Sequence, residues 1–264
     1  MPKEKRFLVS VGIKDLPFPI RVISKVNPEG QPTVASISIN ARIMQEFETQ
    51  WIDKFIHIVH SHRERIGPKT LKVNIMDYLN ELHATMVKID FDYPFFIEKN
   101  TPVSKEKCLV SYQCSYSTKV PSIQENPSTI LKMKIPIITT YPASKLEESN
   151  CLFGQLSVMD IEIESKKDFY PEDLVEIVDR HSLSPIYSFL TEKDQSYIIQ
   201  KVHSEKKTSV ISTDEIKDEL AHNRNIEWYH ICCSNFGMLH TYSTFIATEK
   251  STWVPFSGYE EYEI

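Results

Sequence analysis

"TILKMKIPIITTYPASKLEESNCLFGQLSVMDIEIES", residues 129–165, reads as two long strands joined by a polar turn. The first arm, 129–141, ends in an apolar run from Ile135 to Tyr141 that stops at Pro142. The second arm, 152–165, alternates apolar and polar residues with period two, the pattern of a half-buried strand. A pair of strands this long needs sheet neighbours and a cover for its apolar face, so the flanking segments decide the architecture.

Downstream, "PEDLVEIVDRHS" (171–182) is a helix with Pro171 in the first turn and Glu172 and Asp173 where the helix dipole favours acids. A further helix spans 194–204 and resumes at "STDEIKDELAHN", with Ser212 or Thr213 as its cap and Glu215 following. "IEWYHICCSNFGML" and "HTYSTFIATE" supply two more strands. The first half has the same order. Residues 7–24 and 31–44 are strands, and "WIDKFIHIVHSHRERI" (51–66) is a helix stopped by Gly67 and Pro68. A second helix follows at 70–83, then strands at 85–97 and 107–120. The chain is therefore expected to be α+β, a tandem of two ββααββ units with antiparallel sheets and helices on one face. The units are 1–120 and 129–264, joined by the polar, proline-bearing linker 121–128.

Composition narrows the function classes. With 264 residues, 41% of them hydrophobic, the chain can bury one large core or two small ones. A formal charge of −6 argues against nucleic acid as a partner. No run approaches the roughly 18 apolar residues of a membrane span, and the N-terminal "MPKEKRFLVSVGI" has no signal-peptide pattern. The five cysteines (Cys108, Cys114, Cys151, Cys232, Cys233) form no CxxC, which fits reduced thiols in a cytoplasmic protein. Six glycines leave no room for a Gly-rich phosphate loop. His57, His60 and His62 share one helix but make no i, i+4 pair, so they give no metal motif.

Several stretches taken together resemble the metal-dependent type I-B GTP cyclohydrolases of the tunnelling fold. "IPIITTYPASK" is similar to that family's VPVTxxCPCSK, and "LFGQLSV" stands where it has AHNQRSV. "LVEIVDRHSLSPIYSFLTEKDQSYI" follows LVExxExxxSSPVYxLLKRxDExxV, and "NFGMLHTYSTFIA" answers NxESIHNHxAxA, keeping Asn235 and His240. "QPTVASISINARI", "FETQWIDKF" and "KNTPVSKEKCLVSY" extend the resemblance through the first half. It implies a bimodular tunnelling fold assembled as a homodimer or homotetramer, with its pocket between subunits. It also implies a metal held by Cys, His and Glu, which activates water for opening the guanine imidazole ring.

At the positions the resemblance assigns to that metal, this sequence departs from the pattern. Tyr141 and Ala143 replace the two cysteines, and Phe153 replaces the histidine of AHNQR. The acidic pair of LVExxEE reads Asp179 and Arg180, the Glu and second His of ESIHNH read Gly237 and Tyr242, and Trp51 replaces the His of KGTHMSRF. No metal and no cofactor is therefore expected. The expected site is a pocket refilled with aromatic residues. Its catalytic candidates are His240, Arg180 and Tyr141, and its ligand-binding candidates are Trp51, Ser144, Phe153, Gln155, His181, Gln195 and Tyr242. Each has a plainer role available: a sheet hydrogen bond for His240, a solvated helix end for Arg180, and a dipole-favoured cation for His181. The expected function is binding of, or metal-independent action on, a small planar or anionic metabolite in specialised biosynthesis. A non-catalytic binding or regulatory homologue is the alternative, and an active GTP cyclohydrolase a third.

Overall fold

A computed structural model of the chain describes residues 8–44, 51–122, 124–142, 152–237 and 239–250. Strands β1 (Leu8–Val22), β2 (Gln31–Met44), β3 (Met86–Asn100) and β4 (Lys107–Val120) enclose helices α1 (Trp51–His62) and α2 (Pro68–Glu81) in the chain order of the first half. The second half carries β5 (Ser128–Thr140), β6 (Gly154–Ser165), α3 (Pro171–His181) and the two-residue β7 (Ser184–Pro185). It ends with α4 (Glu192–Ser204), α5 (Ser209–His222), β8 (Ile226–Phe236) and β9 (Thr244–Glu249). All strands among the described residues join one antiparallel sheet in the order β1-β2-β3-β4-β5-β6-β8-β9, with β7 paired to β5. The sheet runs unbroken across the middle of the chain, because β4 pairs with β5 from Gln113↔Lys134 to Lys119↔Ser128.

Period-two patterning puts one set of side chains on the helices and the other toward water. On β4, Cys108, Val110, Tyr112, Cys114, Tyr116, Thr118 and Val120 are all buried, and the alternate positions carry hydroxyls, an amide and charge apart from the exposed Leu109. The opposite face carries ion pairs, such as Lys132–Glu162 at 2.7 Å between β5 and β6 and Lys88–Asp90 at 2.9 Å along β3. Helix α2 packs on β3, β4 and β5, whereas α3 and α5 pack on each other and on the second-half strands. The half-buried Lys99 of β3 pairs with Asp179 of α3, so an ion pair ties the two halves through the helix layer. Burial raises the Asp179 carboxyl, and Lys99 works against that rise.

Two expectations of the sequence need correction. Helix α1 ends at His62 rather than Ile66, because residues 63–66 turn to pair with the end of β1: Arg21 N donates to Arg63 O at 2.8 Å and Ile23 N to Ile66 O at 2.7 Å. The cap of α5 is Thr208, whose hydroxyl accepts from Ile211 N, while Ser212 and Thr213 are buried inside the helix. Residues 205–208 leave the helix because Thr140 holds them: its N–H donates to Lys207 O and its hydroxyl accepts from Lys207 N, both at 2.7 Å. Among the described residues the second half therefore has three helices in place of two.

Candidate functional site

The ends of β5, β6 and β8 converge with the turn before β9 around a cleft of about 160 Å³. Tyr141 and Pro142 leave β5, Gln155 enters β6, Asn235 and Gly237 end β8, and His240, Tyr242 and Thr244 complete the lining. The rings form an aromatic wall. His240 and Tyr242 stack with centroids 4.8 Å apart and an interplanar angle of 11°, and Tyr141 lies 6.4 Å from His240 at 35°. Gly237 keeps the cleft open, because a Cβ there would come within 3.2 Å of Tyr141 Cε2.

Beneath the rings runs a buried polar chain. Gln155 Nε2 lies 3.2 Å from Thr139 Oγ1, which lies 2.7 Å from Ser157 Oγ. Ser157 donates to Asn235 Oδ1 at 2.8 Å, and Asn235 Nδ2 donates to Ser209 Oγ at 3.1 Å and Thr244 Oγ1 at 3.3 Å. Thr139, Gln155, Ser157 and Asn235 are all buried. Only Gln155 of these was singled out as a site residue from the sequence. The available signal was four polar side chains at inward-facing strand positions, where the alternation otherwise sets apolar ones.

The remaining candidates are dispersed. Arg180 was expected in the same pocket, yet it lines a separate cavity of about 350 Å³ with Asp168, Asp173, Glu176 and Glu219. Its guanidinium donates to Glu219 at 2.5 Å and to Glu176 at 3.3 Å, and the Glu219 contact raises its pKa. His181 is held between Glu215 (3.0 Å from Nδ1) and Glu219 (2.6 Å from Nε2), one turn apart on α5. Lys207 also reaches Glu215 and, with His181, holds that carboxyl below its usual range. The phase of α3 turns its last two residues toward α5, away from the strand ends.

The Phe153 carbonyl accepts from Tyr141 N at 2.6 Å, but its ring opens to another side. There it lines an apolar groove of about 520 Å³ with Ile138, Leu156, Val202 and Phe236. Trp51 packs edge-on against Phe55 at 5.3 Å in the first half, beside the core rather than the cleft. Gln195 is exposed on α4 and donates to Leu190 O at 3.3 Å. Its neighbour Asp194 is fully buried and clamps the turn after β3, accepting from Val103 N at 2.8 Å, Ser104 N at 2.9 Å and Ser104 Oγ at 2.6 Å. Burial pushes that carboxyl up, but these bonds and those from Thr191 bring it well below the ordinary carboxylate range. Ser144, Ala143 and Cys151 lie outside the described residues.

His240 is the one imidazole in the cleft, and a phenol, an amide and a glycine occupy the positions around it. Among the described residues no group of three or more His, Cys, Asp or Glu side chains is arranged to hold a metal ion. The donor set that the described residues bring to the cleft does not fit the metal that the resemblance implies. Cys108, Cys114 and Cys233 are buried, and burial pushes the Cys233 thiol up to about 12, so it is no ready nucleophile. No helix among the described residues is long and apolar enough to cross a membrane.

A family model described as type I GTP cyclohydrolase folE2 matches residues 2–246. The protein named GTP cyclohydrolase FolE2 from Citrifermentans bemidjiense is 28% identical over 241 residues, covering 91% of this chain and 89% of that one. The same-named protein of Dictyoglomus turgidum is 29% identical over 248 residues, covering 94% of both. Among solved structures, the chain resembles a uricase from Arthrobacter globiformis (TM-score 0.55, 5% identity, 94% of this chain and 97% of that one). A urate oxidase mutant of Bacillus sp. TB-90 gives a TM-score of 0.57 at 10% identity, over 92% of this chain and 99% of that one. At such identities these two show the fold alone.

Proposed function

The chain belongs to the type I GTP cyclohydrolase FolE2 family, and from that premise we propose that it is a diverged member whose cleft holds a small planar metabolite without the parental metal. The single observation that carries this reading is the Tyr141–His240–Tyr242 wall around a cleft with one imidazole and no acidic or thiol donor among the described residues. Opening a guanine imidazole ring requires an activated water, and a lone imidazole over a neutral amide has no means to lower the pKa of water toward neutrality. Flat aromatic walls suit stacking of a heterocycle. An anionic ligand has less support, since Arg180 is engaged by two glutamates elsewhere.

The finer architecture belongs to the same proposal. The two halves, 1–120 and 129–264, are taken as successive units of a tandem tunnelling fold of the metal-dependent type I-B enzymes, with 121–128 as linker. Copies join into a homodimer or homotetramer, and specialised biosynthesis is the setting. A non-catalytic binding role is the second reading, favoured by the lone imidazole.

The test is twofold. Purified protein is incubated with GTP, with and without added Zn²⁺, and formate release is followed. A thermal-shift screen of planar heterocycles is run in parallel on the wild type and on Tyr141→Ala. The expected result is no formate and at least one heterocycle whose stabilisation is lost in Tyr141→Ala. Steady turnover of GTP would overturn the reading, and turnover of a bound heterocycle would remove the non-catalytic alternative.

A further inference from the structure

Counting protons along the buried chain under the cleft fixes the polarity of what Gln155 presents. Asn235 Nδ2 donates to Ser209 and Thr244, hydroxyls that could serve either end of the amide, and the Cys233 thiol on the other side favours Oδ1 as the atom facing it. Oδ1 accepts from Ser157 at 2.8 Å, and Cys233 Sγ stands at 3.9 Å as a second donor to the same oxygen. A serine hydroxyl has one proton, so Ser157, having donated to Asn235, must accept from Thr139 at 2.7 Å. Thr139 has then used its own proton and must accept from Gln155 Nε2 at 3.2 Å.

The Gln155 amide is therefore held with its nitrogen inward and Oε1 turned to the cleft. There Oε1 lies beside Gly237, 3.7 Å from where a Cβ on that residue would stand. Reversing Gln155 requires Thr139, Ser157 and Asn235 to turn together, which would aim an Asn235 N–H at the Cys233 thiol in place of the carbonyl that now accepts from it. A linked chain of this kind resists inversion of any single member.

We propose that Gln155 is the specificity-determining residue of the cleft, presenting a fixed carbonyl acceptor that selects a planar ligand with an N–H donor on its edge. This rests on the planar-ligand reading above. Thr139, Ser157 and Asn235 act as positioning residues that hold the acceptor outward. The ligand class is a heterocycle with a lactam N–H or an amino group in the ring plane. A ring offering only acceptors on that edge would meet an oxygen with no proton between them and leave both unpaired.

The experiment is calorimetry with two matched probe pairs: inosine against its ring-N-methylated form, and guanosine against purine riboside. The first member of each pair carries an edge N–H, and the second carries none on its base. Wild type is expected to prefer the donor-bearing member by roughly tenfold, the scale of one lost hydrogen bond. Gln155→Met, which keeps length and removes the acceptor, is expected to bring both ratios near one while the melting temperature is kept. Thr139→Val, which cuts the chain at a residue outside the cleft lining, is expected to reduce the ratios, and Thr139→Ser to restore them. Thr139→Ser also keeps the positioning claim testable if Thr139→Val does not fold. Wild-type binding without preference, or an unchanged preference in Gln155→Met, overturns the assignment and leaves the planar-ligand reading standing. Binding of none of the four probes overturns both.

Discussion

Tyr242 lies flat on His240 at the rim of the cleft, whereas Arg180 spends its guanidinium on Glu219 and Glu176 across α3 and α5. The two make opposite forecasts for ligand binding. Tyr242→Ala removes one face of the aromatic wall and should weaken a planar ligand by about 1 kcal/mol. Arg180→Ala should leave its affinity within about twofold, because an exposed ion pair that lines another cavity couples little to this cleft. Calorimetry on both variants checks this, and a large loss in Arg180→Ala would return the arginine to the site. Asp194 makes a forecast about acid. Its folded pKa lies below the unfolded value of about 3.9, so its carboxylate adds stability above that value. That contribution is lost as pH falls below about 4 toward the folded pKa. Asp194→Asn should be less stable at neutral pH and should show a shallower loss on acidification, read from urea midpoints between pH 7 and pH 3. Parallel slopes in the two proteins would refute the assignment.

Helix α4 crosses the sheet end so closely that residue 154 has no room for a side chain. A Cβ on Gly154 would meet Val202 Cγ1 at 2.7 Å. The close approach is held from both ends, by Asp194 on the turn after β3 and by His203, whose carbonyl accepts from Leu152 N at 3.3 Å. Gly154→Ala should therefore cost about 1–3 kcal/mol by overpacking. Adding Val202→Ala should recover part of that loss, giving a non-additive pair in denaturant midpoints. Recovery of nothing would mean that the crossing adjusts elsewhere. At this scale most of the structure was legible. The strands β2 and β4 run over the residues expected from their alternation, since side-chain period is a local property. The end of α1 and the start of α5 were not legible, because β1 and Thr140 decide them from a distance.

Among the described residues the sheet ends at two edges, the fifteen-residue β1 and the short β9. Near β9 the exposed face also shows Phe236 at 48% and Phe245 at 74% exposure. Long open edges beside apolar surface favour strand pairing or packing between copies. Light scattering at micromolar concentration should therefore give two or four times the chain mass of 30.7 kDa. A single-chain mass would remove the proposed assembly.

By itself the sequence determined that the chain is α+β, which segments alternate and which are helical, and that the strand end at Tyr141 meets the start of β6. It also carried the family resemblance, because motifs are local in order and spacing. Only the tertiary structure decided which candidates share a cleft. Tyr141, Gln155, His240 and Tyr242 meet there, while Arg180, His181, Phe153, Trp51 and Gln195 do not. The reason is that sequence gives the period of a helix or strand but not its phase against a neighbour. A rotation of α3 by one residue would have turned Arg180 elsewhere, and the hydrogen-bond chain from Gln155 to Asn235 exists only because β5, β6 and β8 pair in one register.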